Sequence, residues 1–244
     1  MDKLAITHLL NSAFGGPVTH VLQAVGYRPL NPGAPFDDTF ALELLVAAGL
    51  ILFFIVVRLS LSVEKPNPVQ QVAEIIHEFT GNQSEQIIGH GYERFQAFVT
   101  CIALFVLLNN CIGLLFPTLI TPTSRPVVPL GIAVLTFIYY NFHGVREQGP
   151  IGYLKHFAGP LWWLAPLMFP IEVVSHLARI MSLTIRLFAN MLASDLITVV
   201  FFSMIPIAVP ALFLGLHFAV SLIQAYVFML LAMIYLSQAV AHDH

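Results

Sequence analysis

Residues 182–195 read Ser182-Leu-Thr-Ile-Arg186-Leu-Phe-Ala-Asn190-Met-Leu-Ala-Ser-Asp195. An arginine in the middle of an apolar, helix-forming run decides the fold. Its guanidinium stays charged in any protein environment, and inside a bilayer such a charge needs an anionic partner or water. Few acids lie near it in the chain, so the partner can belong to another subunit.

The surroundings of that arginine are those of a membrane protein. The 244 residues are 58% hydrophobic and 9% charged, where soluble domains carry about a quarter charged residues. Residues 95–124 and 196–242 contain no Asp, Glu, Lys or Arg. Each run exceeds the roughly 20 residues that cross a hydrocarbon core, so a buried helix of a soluble protein does not fit. The net charge of −3 offers no basic footprint for nucleic acid. Cys101 and Cys111 lie on different faces of one helix, which disfavours a disulfide, and no zinc-ligand spacing exists. No basic segment leads directly into an apolar one at the N-terminus, so no cleavable signal peptide is expected.

The expected architecture is all-α and polytopic. An extracytoplasmic N-terminal segment, residues 1–38, precedes a membrane domain, residues 39–244, with five spans at about 39–61, 95–116, 127–142, 170–203 and 211–238. Between the first two, Val72, Ile75, Ile76 and Phe79 recur at helical spacing and predict an amphipathic helix on the membrane surface or against a neighbour, with a plain solvated hairpin as the alternative. Residues 143–168 read as a loop with an interfacial pair, Trp162 and Trp163. The last two spans form a hairpin turned at Pro206 and Pro210. Its first arm, near 50 Å at about 1.5 Å per residue, is too long for a core of about 30 Å and is expected to tilt strongly. Lys65, Arg94, Arg146 and Lys155 fall on one side, with Arg58 at a helix end, against Lys3, Arg28 and Arg125 on the other. The excess puts the N-terminus outside and the C-terminus in the cytoplasm.

Polar residues on the fourth span are ordered. Glu172, Ser175, Arg179, Ser182, Arg186 and Asn190 follow one another at steps of three or four and share one helix face. A single polar stripe on a lipid-embedded helix marks a bundle interior or an aqueous path. Asp195, nine residues past Arg186, points to nearly the opposite side, so the two cannot pair and Asp195 is free to face the last helix. That helix has its own polar face, His217, Ser221 and Gln224. Asp195 and His217 can meet across the hairpin, where a carboxylate and an imidazole around water relay protons. Interhelical hydrogen bonding alone is the plainer role for His217 and Gln224.

These residues resemble a known family. The segments from Pro170 through Ser175 and from Ser182 through Met191, His217 followed after seven residues by Gln224, Tyr235-Leu-Ser, and the Asn110–Pro117 stretch are similar to subunit a of the F-type ATP synthase, over residues 40–240. The resemblance implies the stator half of a rotary proton channel in the bacterial inner membrane, lying against a ring of c subunits and joined by the subunit b stalk and the remaining synthase subunits. It implies that Arg186 meets the ring carboxylates and blocks proton leak. It implies an outer half-channel of Asn190, Asp195, His217 and Gln224, and a cytoplasmic one of Glu172 and Ser175. No cofactor, metal or ATP site of its own is implied. Asp195 stands where many relatives carry Glu, Gly113 where some carry Asp, and the Ser124-Arg125-Pro126 loop is unlike the family's usual version. Arg179 reads as a charge reaching for the cytoplasmic interface. An independent transporter is the competing class, but repeated halves and broken helices are not evident. An intramembrane enzyme is the other, and His143, His156 and His176 lack a metalloprotease spacing.

Overall fold

The computed structural model describes residues 5–24, 35–62, 66–115, 121–158, 165–204 and 208–240. The regular structure within them is helical, in seven α-helices and one short 3-10 turn. Two compact units divide the chain, residues 1–55 and 56–244. Trp162, Trp163, Pro206, Lys3, Arg28 and Lys65 lie outside the described residues.

The first unit holds α1, Ala5–Ala24, and most of α2, Asp38–Leu59. Polar residues tie the two together. Thr7 Oγ1 donates to Asp38 Oδ1 at 2.6 Å, and Asn11 exchanges two hydrogen bonds with the Phe36 main chain. Asp38 also opens α2, where an acid complements the N-terminal end of the helix dipole.

The second unit is built on four long helices: α4, Glu93–Leu115; α5, Val127–Ala158; α6, Ala165–Met204; and α7, Ala208–Val240. Two apolar layers hold them. Ile102, Val106, Ile132, Leu183, Leu187 and Phe228 form one. Phe95, Val99, Tyr140, Met233 and Leu236 form the other. With α2, these helices give five that are long and apolar enough to cross a membrane. The protein is an all-helical, polytopic membrane protein.

Helix α3, Pro68–Ile88, lies against α4 and α7, one of the two settings expected of it. Pro68 opens it and Gly89, at φ 79°, closes it by donating its N–H to Glu85 O. The packing reverses the usual amphipathic rule. Ile75 and Phe79 are exposed, whereas Thr80, Gly81 and Ser84 are buried. Lipid is as apolar as a protein core, so contacts go to small residues that let backbones approach. Thr80 and Thr100 share a 2.9 Å hydroxyl contact, and a Cβ at Gly81 would stand 2.8 Å from Gln96 Nε2.

Two helices run further than the sequence suggests. Helix α5 does not stop at Phe142 but runs on to a kink at Gly149, φ 73°, after which a second helical stretch reaches Ala158. Its polar continuation reads as loop because it leaves the apolar layer, but there Gln148 donates to the Ala239 carbonyl and Glu147 pairs with Arg94. Helix α6 begins at Ala165 and carries Pro170 inside it, past the first turn, where the ring removes one i→i−4 hydrogen bond. Its 40 residues extend about 60 Å.

Candidate functional site

Asp195 is the centre of the buried polar structure. It sits on α6, 7% exposed, one turn beyond Met191 on the seam that packs into the core. The connection between α4 and α5 supplies its partners. The main-chain N–H of Thr121 donates to Asp195 Oδ2 at 2.9 Å, Thr121 Oγ1 at 2.7 Å and Ser124 Oγ at 2.5 Å. The two hydroxyl oxygens are 2.6 Å apart. The three oxygens form a closed triangle. The two hydroxyls and the Thr121 N–H all donate to Oδ2, as suits an ionised carboxylate.

A local reason brings these groups in. Pro122–Ser124 form a 3-10 turn whose first bonds, Ser124 N to Thr121 O and Arg125 N to Pro122 O, lead directly into α5. The turn is buried, and Thr123 Oγ1 donates to Asn110 Oδ1 at 2.8 Å. The Ser124-Arg125-Pro126 loop thus contributes Ser124 to the clamp on Asp195.

The other carboxylate oxygen faces α7. His217 Nδ1 is 3.6 Å from Asp195 Oδ1, as the hairpin geometry predicts. The ring is 2% exposed. Its Nε2 donates to the Asn110 carbonyl at 3.0 Å, and Ser194 Oγ lies 2.8 Å from Nδ1. Gly113 makes room. A Cβ there would collide with Thr121 Cγ2 and stand 3.5 Å from His217 Nε2 and 3.6 Å from Asp195 Oδ1.

Asn190 and Gln224 also meet, with Asn190 Nδ2 donating to Gln224 Oε1 at 2.9 Å. A cleft of about 310 Å³ runs between α6 and α7 past Asn190, Ser194, Thr198 and Gln224. It joins this amide pair to the neighbourhood of His217. Ser221, on the same face of α7, spends its hydroxyl on the His217 carbonyl.

Two members of the stripe on α6, Arg179 and Asn190, meet α7. Arg179 lies with its guanidinium carbon 5.2 Å above the Tyr235 ring, a cation–π contact. Arg186 is half-buried and donates to Ser182 Oγ at 3.4 Å. Among the described residues no carboxylate lies within ion-pair distance of it. Glu172 and Ser175, both half-buried, sit further along the same helix toward its start. Glu172 faces His176 across 3.4 Å. These two are not brought to the Asp195 cluster.

Sequence reasoning missed Thr121, Ser124, Asn110 and Ser194. The one available signal was a hydroxyl-rich turn, Thr121-Pro-Thr-Ser124, inside a run free of charge. Its partner lies over seventy residues away, which no local pattern reveals. His176 was weighed only as a metal ligand; among the described residues no group of metal-binding side chains assembles.

Helices closed around a buried carboxylate–imidazole pair, with an arginine on the same helix that meets no carboxylate among the described residues, define a membrane protein with a polar path in its helical core. Residues 41–237 match the family described as ATP synthase A chain. ATP synthase subunit a of Koribacter versatilis (strain Ellin345) is 49% identical over 242 residues, covering 99% of this chain and 98% of the relative. That of Solibacter usitatus (strain Ellin6076) is 44% identical over 236 residues, 97% and 100% of the two chains. That of Geobacter sp. (strain M21) is 39% identical over 217 residues, 89% and 93%. The chain belongs to the ATP synthase subunit a family.

Proposed function

We propose that this chain is the proton-channel stator of a bacterial F-type ATP synthase, passing protons to and from carboxylates on a rotating c-ring and so coupling proton flow to ATP synthesis. The observation that carries the reading is the division of labour on α6. Asp195 is buried and holds three donors on Oδ2, while Arg186 is half-buried and among the described residues has no acid within ion-pair distance. A permanent cation in that position calls for a carboxylate from outside the chain.

The outer half-channel consists of Asn190, Asp195, His217 and Gln224. Asp195 Oδ2 is anchored, so Oδ1, facing His217 Nδ1, is the oxygen that exchanges protons. The cleft beside Asn190 and Gln224 brings water to that exchange. The cytoplasmic half-channel holds Glu172 and Ser175. Arg186 stands between the two and keeps the ring carboxylate ionised as it passes, because an opposite charge favours the ionised form. That prevents protons from crossing directly between half-channels.

The chain itself neither binds nor hydrolyses ATP. Its partners are the c-ring, the subunit b stalk, the remaining synthase subunits and membrane lipid. It lies in the inner membrane with the N-terminus outside and the C-terminus in the cytoplasm, following the basic residues of the 62–94 and 143–168 segments. The test is ATP-driven acidification of inverted vesicles that hold the whole complex, with assembly checked by blot. Arg186→Ala should assemble and abolish acidification. Normal acidification by the assembled variant would sink the assignment of Arg186.

A further inference from the structure

His176 is a buried, titratable side chain that the scheme above leaves unused. It is 8% exposed and sits on α6, four residues after Glu172. Its surroundings fix the ring closely. Tyr140 of α5, 2% exposed, places its hydroxyl 2.8 Å from His176 Nδ1. The two rings lie nearly parallel, 16° between planes and 5.8 Å between centroids. Phe137 meets both edge-on, at 5.4 Å and 5.8 Å. The opposite nitrogen, Nε2, lies 3.4 Å from Glu172 Oε1. Histidine has two nitrogens, and the partner of one decides what the other offers. With Tyr140 donating to Nδ1, the ring hydrogen sits on Nε2, toward the carboxylate.

We infer that His176 is a positioning residue for Glu172, held by Tyr140, so that a Tyr140–His176–Glu172 chain sets the carboxylate of the cytoplasmic half-channel. The inference rests on the half-channel reading of Glu172. The side chain of Glu172 is 30% exposed, so without a partner it is free to turn among rotamers. The imidazole, clamped between α5 and α6, offers one fixed direction. Packing alone does not account for the arrangement, since an apolar side chain would fill the space beside Phe137 without a buried hydroxyl that needs a partner.

The experiment compares initial rates of ATP-driven acidification in inverted vesicles holding the whole complex, with assembly checked by blot. The variants are His176→Leu, His176→Gln, Glu172→Gln and the Glu172→Gln/His176→Leu double variant. His176→Leu should slow acidification about tenfold, the scale of a lost contact to a charged group. His176→Gln, which keeps a donor facing Glu172, should recover to within about threefold of wild type. Adding His176→Leu to Glu172→Gln should slow it no further, because His176 acts through that carboxylate. Multiplying effects would overturn the inference and leave His176 a packing residue. Glu172→Gln at the wild-type rate would overturn both the half-channel reading and the inference. A slow Glu172→Gln beside a wild-type His176→Leu would overturn the inference alone. Should His176→Leu fail to assemble, Tyr140→Phe keeps the ring packing, removes only the hydroxyl, and enters the same cycle.

Discussion

His217 donates its Nε2 hydrogen to the main-chain carbonyl of Asn110 across 3.0 Å. A carbonyl only accepts, so the neutral ring carries its hydrogen on Nε2 and leaves Nδ1 bare. Nδ1 is the nitrogen 2.8 Å from Ser194 Oγ and 3.6 Å from Asp195 Oδ1. A proton taken up by this ring therefore arrives beside the carboxylate.

That geometry separates two roles of His217. His217→Gln keeps a donor for the Asn110 carbonyl and loses the basic nitrogen. The variant should assemble at the wild-type level, while ATP-driven acidification falls about tenfold or more. Acidification at the wild-type rate would leave His217 a structural tie only.

The clamp on Asp195 predicts a stability effect. Thr121→Val and Ser124→Ala each remove one hydroxyl from a buried carboxylate, and each should cost about 1–3 kcal/mol. Thermal unfolding of the purified protein in detergent measures it. Thr121→Val keeps its main-chain N–H on Asp195 and so should be no worse than Ser124→Ala.

Gly113→Ala tests the room at the same place. The added methyl meets Thr121 and approaches both His217 and Asp195. Overpacking of this kind costs about 1–3 kcal/mol. A melting temperature equal to wild type would mean that the turn yields without loss.

Asn190 and Gln224 should show measurable coupling. In a double-mutant cycle with Asn190→Leu and Gln224→Leu, the interaction should be about 0.6 kcal/mol and no more than about 1.7, the range for polar pairs between membrane helices. Additive effects on unfolding would mean that the pair contributes nothing.

The Arg94–Glu147 pair should matter little. Its side chains are 48% and 24% exposed, and water competes for both charges. Glu147→Gln should change stability by less than about 1 kcal/mol. A larger loss in the same melting assay would mark this pair as a true brace between α4 and α5.

Periodicity made much of the fold legible. Long charge-free runs locate the apolar helices, and the three- and four-residue steps from Glu172 to Asn190 set the stripe on α6. Opposite placement of Arg186 and Asp195 follows from helix geometry, as does the approach of His217 to Asp195. The residues that grip these groups were not legible. Thr121 and Ser124 reach Asp195 through a turn between two other helices, and Tyr140 reaches His176 from α5. The end of α5 was misread for a simpler reason. Beyond Phe142 its helix continues through polar residues, and hydropathy records only the apolar part.

On the proposed function, the triangle of oxygens at Asp195 gives one side chain two employments, rivet and reactant. Aspartate suits the rivet because its short arm keeps Oδ2 against the Thr121 N–H. A glutamate would carry its carboxylate one methylene past that point and unfasten the turn. Asp195→Asn keeps one oxygen for the Thr121 and Ser124 donors but loses the acid. Acid and turn are thus one mechanical unit, and replacing this acid with a longer one mixes altered chemistry with a loosened joint.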